Sequence, residues 1–297
     1  MITKALGPCQ CDKSERSCPA VSAPDPRTEA LTRLFCPDCQ GMLVPSMDRP
    51  GDLRAPVNCL DCGAQYGAER GAIELHGRDG RPTSRIREYP HQGKTLPFWE
   101  FYEQTLRLGA YRDTDLEDEV FALLGWLDHD PGDPILLVGA GRGELLATVA
   151  EACPDSTIVA LDDSVDELRI ARKRLTRQGS ENCAYIACDL DRPPLRPGSF
   201  KVVLHFGVLH GLQNPLDHLR RFAPVVPPGG RVAGVALARS NLPRIAEAQQ
   251  MMSAGTGLKW VPMQAFGTAL MKVGWRSFRH EQPSNWMARF VAIRGGL

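Results

Sequence analysis

Ile135-Leu-Leu-Val138 runs without a break into Gly139-Ala-Gly-Arg-Gly143 and on into Glu144-Leu-Leu146. Side chains on a strand alternate between its two faces, so four consecutive aliphatics demand a strand covered on both sides. Such strands belong to parallel sheets with helices packed above and below. Gly139, Gly141 and Gly143 let the chain turn sharply and bring its backbone close to a ligand, and a helix is expected from Arg142 to Ala152. This stretch therefore commits the region to an open, doubly wound α/β sheet with a ligand at the carboxyl end of the strand.

The rest of 131–297 repeats the alternation. Thr157-Ile-Val-Ala-Leu161 reads as a second strand and Val165–Arg177 as the helix after it, opened by the capping box Ser164-Val-Asp-Glu167. Further strands are expected at 183–188, 201–206 and 231–237, with a helix at about 214–223. Segments 275–281 and 286–293 flank Gln282-Pro-Ser284 and read as an antiparallel hairpin. The turn Asp130-Pro-Gly-Asp-Pro134 marks the near boundary of this domain. Residues 81–130 read as a linker and capping helices: polar from Arg81 to Leu96, then helical over Phe98–Tyr111 and Asp115–Leu127. Phe98, Trp99, Phe101, Tyr102 and Tyr111 serve either as a lid over a ligand or as the packed face of one helix. No internal repeat is visible.

The chain has 297 residues and ten cysteines, seven of them before residue 63. Cys36-Pro-Asp-Cys39 and Cys59-Leu-Asp-Cys62 have the spacing of a four-thiolate zinc site, each turn aiming two sulfurs at one point. Four protein ligands leave no open position, so the expected role of the Zn2+ is structural. Residues 31–80 are then a small β-rich zinc ribbon, and 1–30, rich in Pro, Ser and charge, a flexible tail in which Cys9, Cys11 and Cys18 are either loose thiols or three ligands of an incomplete second metal site. A disulfide scaffold would be shorter and would carry a secretion signal, whereas the first residues lack an apolar core followed by a cleavage site. No apolar run approaches the ~18 residues of a membrane span. A cytoplasmic protein is the expectation.

Lys plus Arg and Asp plus Glu both number 35, which excludes bulk electrostatic coating of nucleic acid. The balance is uneven: residues 1–130 hold 15 basic and 21 acidic residues, net −6, and 131–297 hold 20 and 14, net +6. The ribbon, with 5 basic against 7 acidic residues over 31–80, is a poor phosphate grip and reads as structural or partner-docking. The basic run Arg169–Arg174 falls towards a helix carboxyl end, where cations suit the dipole.

The dinucleotide fingerprint places its third glycine where this chain has Glu144. Gly-x-Gly-x-Gly instead matches loops that hold S-adenosyl-L-methionine. Asp162 at the second strand tip can accept from ribose hydroxyls, and Asp189 at the third from an adenine amino group. With Asp189-Leu-Asp-Arg-Pro-Pro-Leu195, Gly198-Ser-Phe200, Val208-Leu-His-Gly211 and Pro227-Pro-Gly-Gly-Arg231, the sequence resembles the class I S-adenosylmethionine-dependent methyltransferases over about 97–297. The ribbon, through Cys62-Gly-x-x-Tyr66 and Gly71-x-Ile73, looks like the Trm112-type zinc module. The combination is similar to a group related to ubiquinone/menaquinone methyltransferases and, more distantly, to the 23S rRNA guanine methyltransferases. The resemblance implies a Rossmann-like seven-stranded sheet, with cofactor contacts from Gly139, Gly141, Gly143, Asp162, Asp189 and His205. His210 is the candidate catalytic base or substrate positioner beside the methyl group. The chain departs from the family at Leu137, where an Asp or Glu usually helps hold the methionine end.

Three functional readings follow, in order. The first is a methyltransferase acting on a small or medium organic acceptor. The second is an rRNA base methyltransferase, kept open by the basic C-terminal region. The third, motivated by Leu137, is a non-catalytic binding or scaffold protein on the same fold.

Overall fold

The computed structural model describes residues 25–46, 52, 54–68, 71–77, 88–91, 94–97, 116–212 and 214–296. Helix α1 (Pro26–Thr32) begins at Asp25, whose carboxylate accepts the Thr28 N–H at 3.1 Å, and Pro26 occupies the first turn, where no amide proton is needed. The tail expected over 1–30 is therefore too long: its end is helical because Ala30 and Leu31 have a core to enter. The rest of it, with Cys9, Cys11 and Cys18, lies outside the described residues.

Strands β1 (Leu43–Pro45), β2 (Val57–Cys59) and β3 (Gln65–Tyr66) form a small antiparallel sheet. Strand β4 (Ala72–Leu75) follows. Strands β5 (Glu88–His91) and β6 (Lys94–Pro97) pair as a hairpin inside the expected linker, and helix α2 (Leu116–Leu124) leads into the main domain. The helix and lid expected over Phe98–Tyr111 lie outside the described residues. The alternation then runs β7 (Ile135–Val138), α3 (Glu144–Ala152), β8 (Ile158–Asp162), α4 (Val165–Gln178), β9 (Cys183–Cys188), β10 (Val202–Phe206), α5 (Pro215–Phe222) and β11 (Arg231–Leu237). Helices α6 (Pro243–Thr256) and α7 (Met263–Lys272) precede the hairpin of β12 (Trp275–Glu281) and β13 (Met287–Arg294).

The large sheet has the order β12-β13-β11-β10-β7-β8-β9-β4, parallel except at β13 and β12. Residues 131–297 supply the seven expected strands. The eighth is β4, which leaves the cysteine module and pairs in parallel with β9.

Every residue of β7 is buried, and the alternation of side chains divides the core. Leu136, Val138 and Val203 cluster with residues of α1, α5 and α7; Leu137, Leu204 and Phe206 cluster with residues of α2, α3 and α4. Each such side chain contributes about 1.5–3 kcal/mol on burial.

The N-terminal part is tied to the sheet by directed bonds as well as by apolar contact. The Arg196 N–H donates to the Arg33 carbonyl at 2.9 Å, the Phe35 N–H to the Pro194 carbonyl at 3.0 Å, and Leu34 bridges to Leu195. The buried Arg27 guanidinium donates to the carbonyls of Asp52 and Ala55, spanning α1 and the loop before β2. No helix among the described residues is long and apolar enough to cross a membrane.

Candidate cofactor cleft and thiol cluster

The strand order reverses between β7 and β10, the place where open α/β sheets bind ligands. The loop after β7 fills that edge. Gly139, Gly141 and Gly143 all have positive φ, at 80°, 50° and 83°. A Cβ on Gly139 would stand 2.6 Å from the Phe206 carbonyl oxygen and would overlap the Val208 side chain, so the loop lies flush against the tip of β10.

Asp162 ends β8 and is 7% exposed. One carboxylate oxygen accepts the Gly141 N–H at 2.8 Å and the other the Ser164 N–H at 3.0 Å. The residue thus fastens the glycine loop to the second strand tip. Burial, with Asp163 beside it, pushes its carboxyl up to about 7 against the pull of those two donors. Asp189 sits one strand further along, exposed, and accepts from the Asp191 N–H at 2.8 Å. Glycine loop, Asp162 and Asp189 therefore share one edge, as their spacing predicts.

Leu137 is 1% exposed and lies between Ala160 and Leu204 in the core. The acid Glu144, at the start of α3, is paired through one carboxylate oxygen with Arg174 of α4 at 2.7 Å.

One of the two histidines, His205, falls differently from expectation. His205 was placed on the cofactor side, but its ring is fully buried beneath α5, edge-on to His218 at 5.1 Å and to Phe222 at 5.0 Å. The reason is strand parity: Leu204 and Phe206 face α2–α4, so His205 must face α5. His210 lies in a short 3₁₀ turn (Leu209–Gly211) just beyond β10 and is 2% exposed, its carbonyl accepting from the Lys259 N–H at 2.8 Å.

His218 was not singled out from the sequence, although its spacing from Phe222 puts both on one face of α5. Neither ring nitrogen of His205 or His218 has a hydrogen-bond partner among the described residues. Burial depresses both imidazoles, His218 to about 4 and His205 well below its ordinary value, with His218 adding to the effect on His205. Folded values below the unfolded one mean that the unfolded chain binds more protons, so stability is complete above about pH 6.5 and is lost as pH falls. His218 alone should cost on the order of 3 kcal/mol by pH 4. His218→Phe should flatten the fall in melting temperature between pH 7 and pH 4; a wild-type slope in that variant would show that the pair does not govern acid stability.

The four cysteines 36, 39, 59 and 62 meet as predicted. All four sulfurs lie within 4.8 Å of one another, with Cys36–Cys62 at 3.7 Å and Cys39–Cys59 at 3.5 Å. Sulfurs ~2.3 Å from one ion at tetrahedral corners would be about 3.8 Å apart, so the donor set fits zinc. The Tyr66 hydroxyl lies 2.9 Å from Cys36 Sγ and donates to Asp38 Oδ2 at 2.9 Å, linking β3 to the first knuckle.

An open, mainly parallel sheet with a glycine loop at its switch point and acids at the next two strand tips is the fold of the class I methyltransferases. Residues 136–234 match the family model described as a methyltransferase domain. Over 126 residues the chain is 29% identical to a malonyl-[acyl-carrier protein] O-methyltransferase of a Marinomonas species, covering 42% of this chain and 46% of that protein. It is 27% identical over 143 residues to a demethylmenaquinone methyltransferase of Lactococcus lactis, covering 42% and 56%. The chain thus spans about half the length of the curated relatives it matches. Among solved structures, a Haemonchus contortus phosphoethanolamine N-methyltransferase 2 in complex with phosphomonomethylethanolamine and S-adenosylhomocysteine shares the fold, with a TM-score of 0.53 and 14% identity over 60% of this chain and 53% of that one.

Proposed function

We propose that the chain is an S-adenosylmethionine-dependent methyltransferase acting on a small or medium organic acceptor, with a structural four-cysteine zinc ribbon (31–80) fused to its catalytic domain (131–297). The observation that carries this reading is the glycine loop pressed against β10 and bonded to Asp162 at the switch point. The bound cofactor supplies an electrophilic methyl group on a sulfonium. The protein's task is then alignment and exclusion of water, since charge is lost rather than gained at sulfur. Gly139, Gly141 and Gly143 give the backbone room to approach. Asp162, still with lone pairs to offer beyond its two backbone donors, accepts from the ribose, and Asp189 accepts from the adenine amino group. His205 is withdrawn from the cofactor set because its ring is packed under α5 against His218 and Phe222. His210 remains the candidate base or positioner for an acceptor that must lose a proton.

The acidic ribbon, and relatives named for a carrier-bound malonyl group and for demethylmenaquinone, favour a small or medium organic acceptor. One observation favours RNA: Arg169, Arg172, Lys173 and Arg177 of α4 line a shallow groove of about 530 Å³. Calorimetry with S-adenosylmethionine tests the class, and absence of binding at millimolar cofactor would leave only the scaffold reading. Transfer of label from tritiated cofactor into total RNA, against a small-molecule extract, separates the two acceptors. In whichever assay turns over, His210→Ala should lower kcat and leave cofactor affinity unchanged; unchanged turnover would remove it from the mechanism.

A further inference from the structure

Strand β4 brings a titratable side chain to the cofactor edge from outside the matched domain. Its parallel register on β9 pairs Leu75 with Cys188, so the next residues, His76 and Asp189, leave the sheet side by side at its carboxyl end. Strands β8 and β9 are in register through Asp162 and Ala187, which brings Asp163 to the same edge.

His76 is half-buried. Its Nε2 is closed to solvent and has no hydrogen-bond partner among the described residues. Burial lowers its pKa while Asp189 and Asp163 oppose that shift, so the ring is neutral at pH 7 and offers either an N–H or a lone pair at Nε2. A buried polar atom without a partner is costly, and a ligand that bonds to it recovers that cost. The strand tip is backed from behind: a Cβ on Gly77 would stand 3.2 Å from Asp38 Oδ1 and 3.7 Å from Pro37, so the first cysteine knuckle closes against it.

We infer that His76, carried in from the ribbon half of the chain, is a further cofactor-binding residue whose Nε2 bonds to the purine ring of the adenosyl group beside Asp189. The inference rests on the cofactor reading above. A purine edge presents an amino donor next to ring-nitrogen acceptors. A carboxylate satisfies the first and a neutral imidazole N–H the second, and these are the two groups that the β9–β4 register sets next to each other. An anionic ligand would meet Asp163 and Asp189 at the same place and be repelled.

The test is calorimetry on the full chain with two probes: S-adenosylmethionine, and methylthioadenosine, which keeps the purine and ribose but lacks the amino-acid end. His76→Phe, which keeps the packing volume and removes the nitrogen, should weaken both probes by about tenfold, the worth of one ordinary hydrogen bond. His76→Gln, which restores a donor and an acceptor, should recover most of the loss. A purely structural role would give the opposite order, with Phe tolerated and Gln harmful, and would overturn the assignment. Unchanged affinity of the Phe variant for both probes would overturn it as well, as would a loss confined to S-adenosylmethionine. A wild-type chain that binds neither probe would overturn the cofactor reading itself, and this assignment with it.

Discussion

Cys59→Ser is expected to strip the chain of zinc and unfold the module around it. That module has three strands of 3, 3 and 2 residues, with Leu43, Val57 and Tyr66 as their large buried apolar side chains. So small a core cannot offset the backbone entropy of the ordered loops on its own. Metal binding of ~10–16 kcal/mol can. Cys59 is 3% exposed, so water has little access to replace its sulfur as a ligand. Elemental analysis should find one zinc per wild-type chain and far less in the variant, with new proteolytic cleavage between residues 36 and 66. The main sheet should persist, because its seven strands from 131–297 have their own core. Cys188→Ser, at a buried thiol that is not one of the four clustered sulfurs, should keep the metal. Full zinc content in Cys59→Ser would show that the four sulfurs do not hold it together.

What the sequence made legible follows from how local each signal is. Strands β7 to β11 are continuous apolar runs that need both faces covered, and the helix after β8 carries its own capping box; these were readable because neighbouring residues decide them. Ser164 does cap α4, accepting the Glu167 N–H at 3.2 Å. Asp25-Pro26 was an equally local helix start, obscured by the polar tail around it, and Ala30, Leu31 and Leu34 were the signal for its buried face. Strand β4 could be seen as apolar, but its partner could not: Ala72–Leu75 completes the large sheet only because β9 would otherwise be an edge, and that is a tertiary choice. Helix α6 left little trace, since Gln249 is its only buried residue and binds the carbonyls of Ala238 and Asn285 instead of packing in oil. The loop acids were legible as positions but not in their duties: Asp162 was read as a ribose acceptor, and the structure adds that it ties down Gly141. His205 stands at the end of the fourth strand, where this fold presents groups to the cofactor, but strand parity decides its side: Leu204 and Phe206 cluster with α2–α4, and the ring between them packs against α5.

Gly139→Ala should abolish measurable cofactor binding while leaving the chain folded. Two costs add at this residue. Its φ of +80° is a left-handed conformation, costing an alanine about 1–2 kcal/mol. The added methyl would also sit 2.6 Å from the Phe206 carbonyl oxygen and overlap Val208; backbone cannot yield as a flexible side chain does, and overpacking of this kind costs ~1–3 kcal/mol. The sum lies below the 5–15 kcal/mol that ordinarily holds a domain together, so the melting temperature should drop by roughly 5–15 °C without loss of the fold. Relief comes by pushing the loop away from β10, and that movement withdraws the Gly141 N–H from Asp162 and opens the place where the cofactor is to be aligned. Gly198→Ala separates the two costs. Its φ is +64°, but nothing stands within 4 Å of the added carbon, so it should lose only about 2–4 °C and bind cofactor as the wild type does. If Gly139→Ala binds S-adenosylmethionine with wild-type affinity, the loop is not the cofactor cradle, and the switch point must serve another ligand.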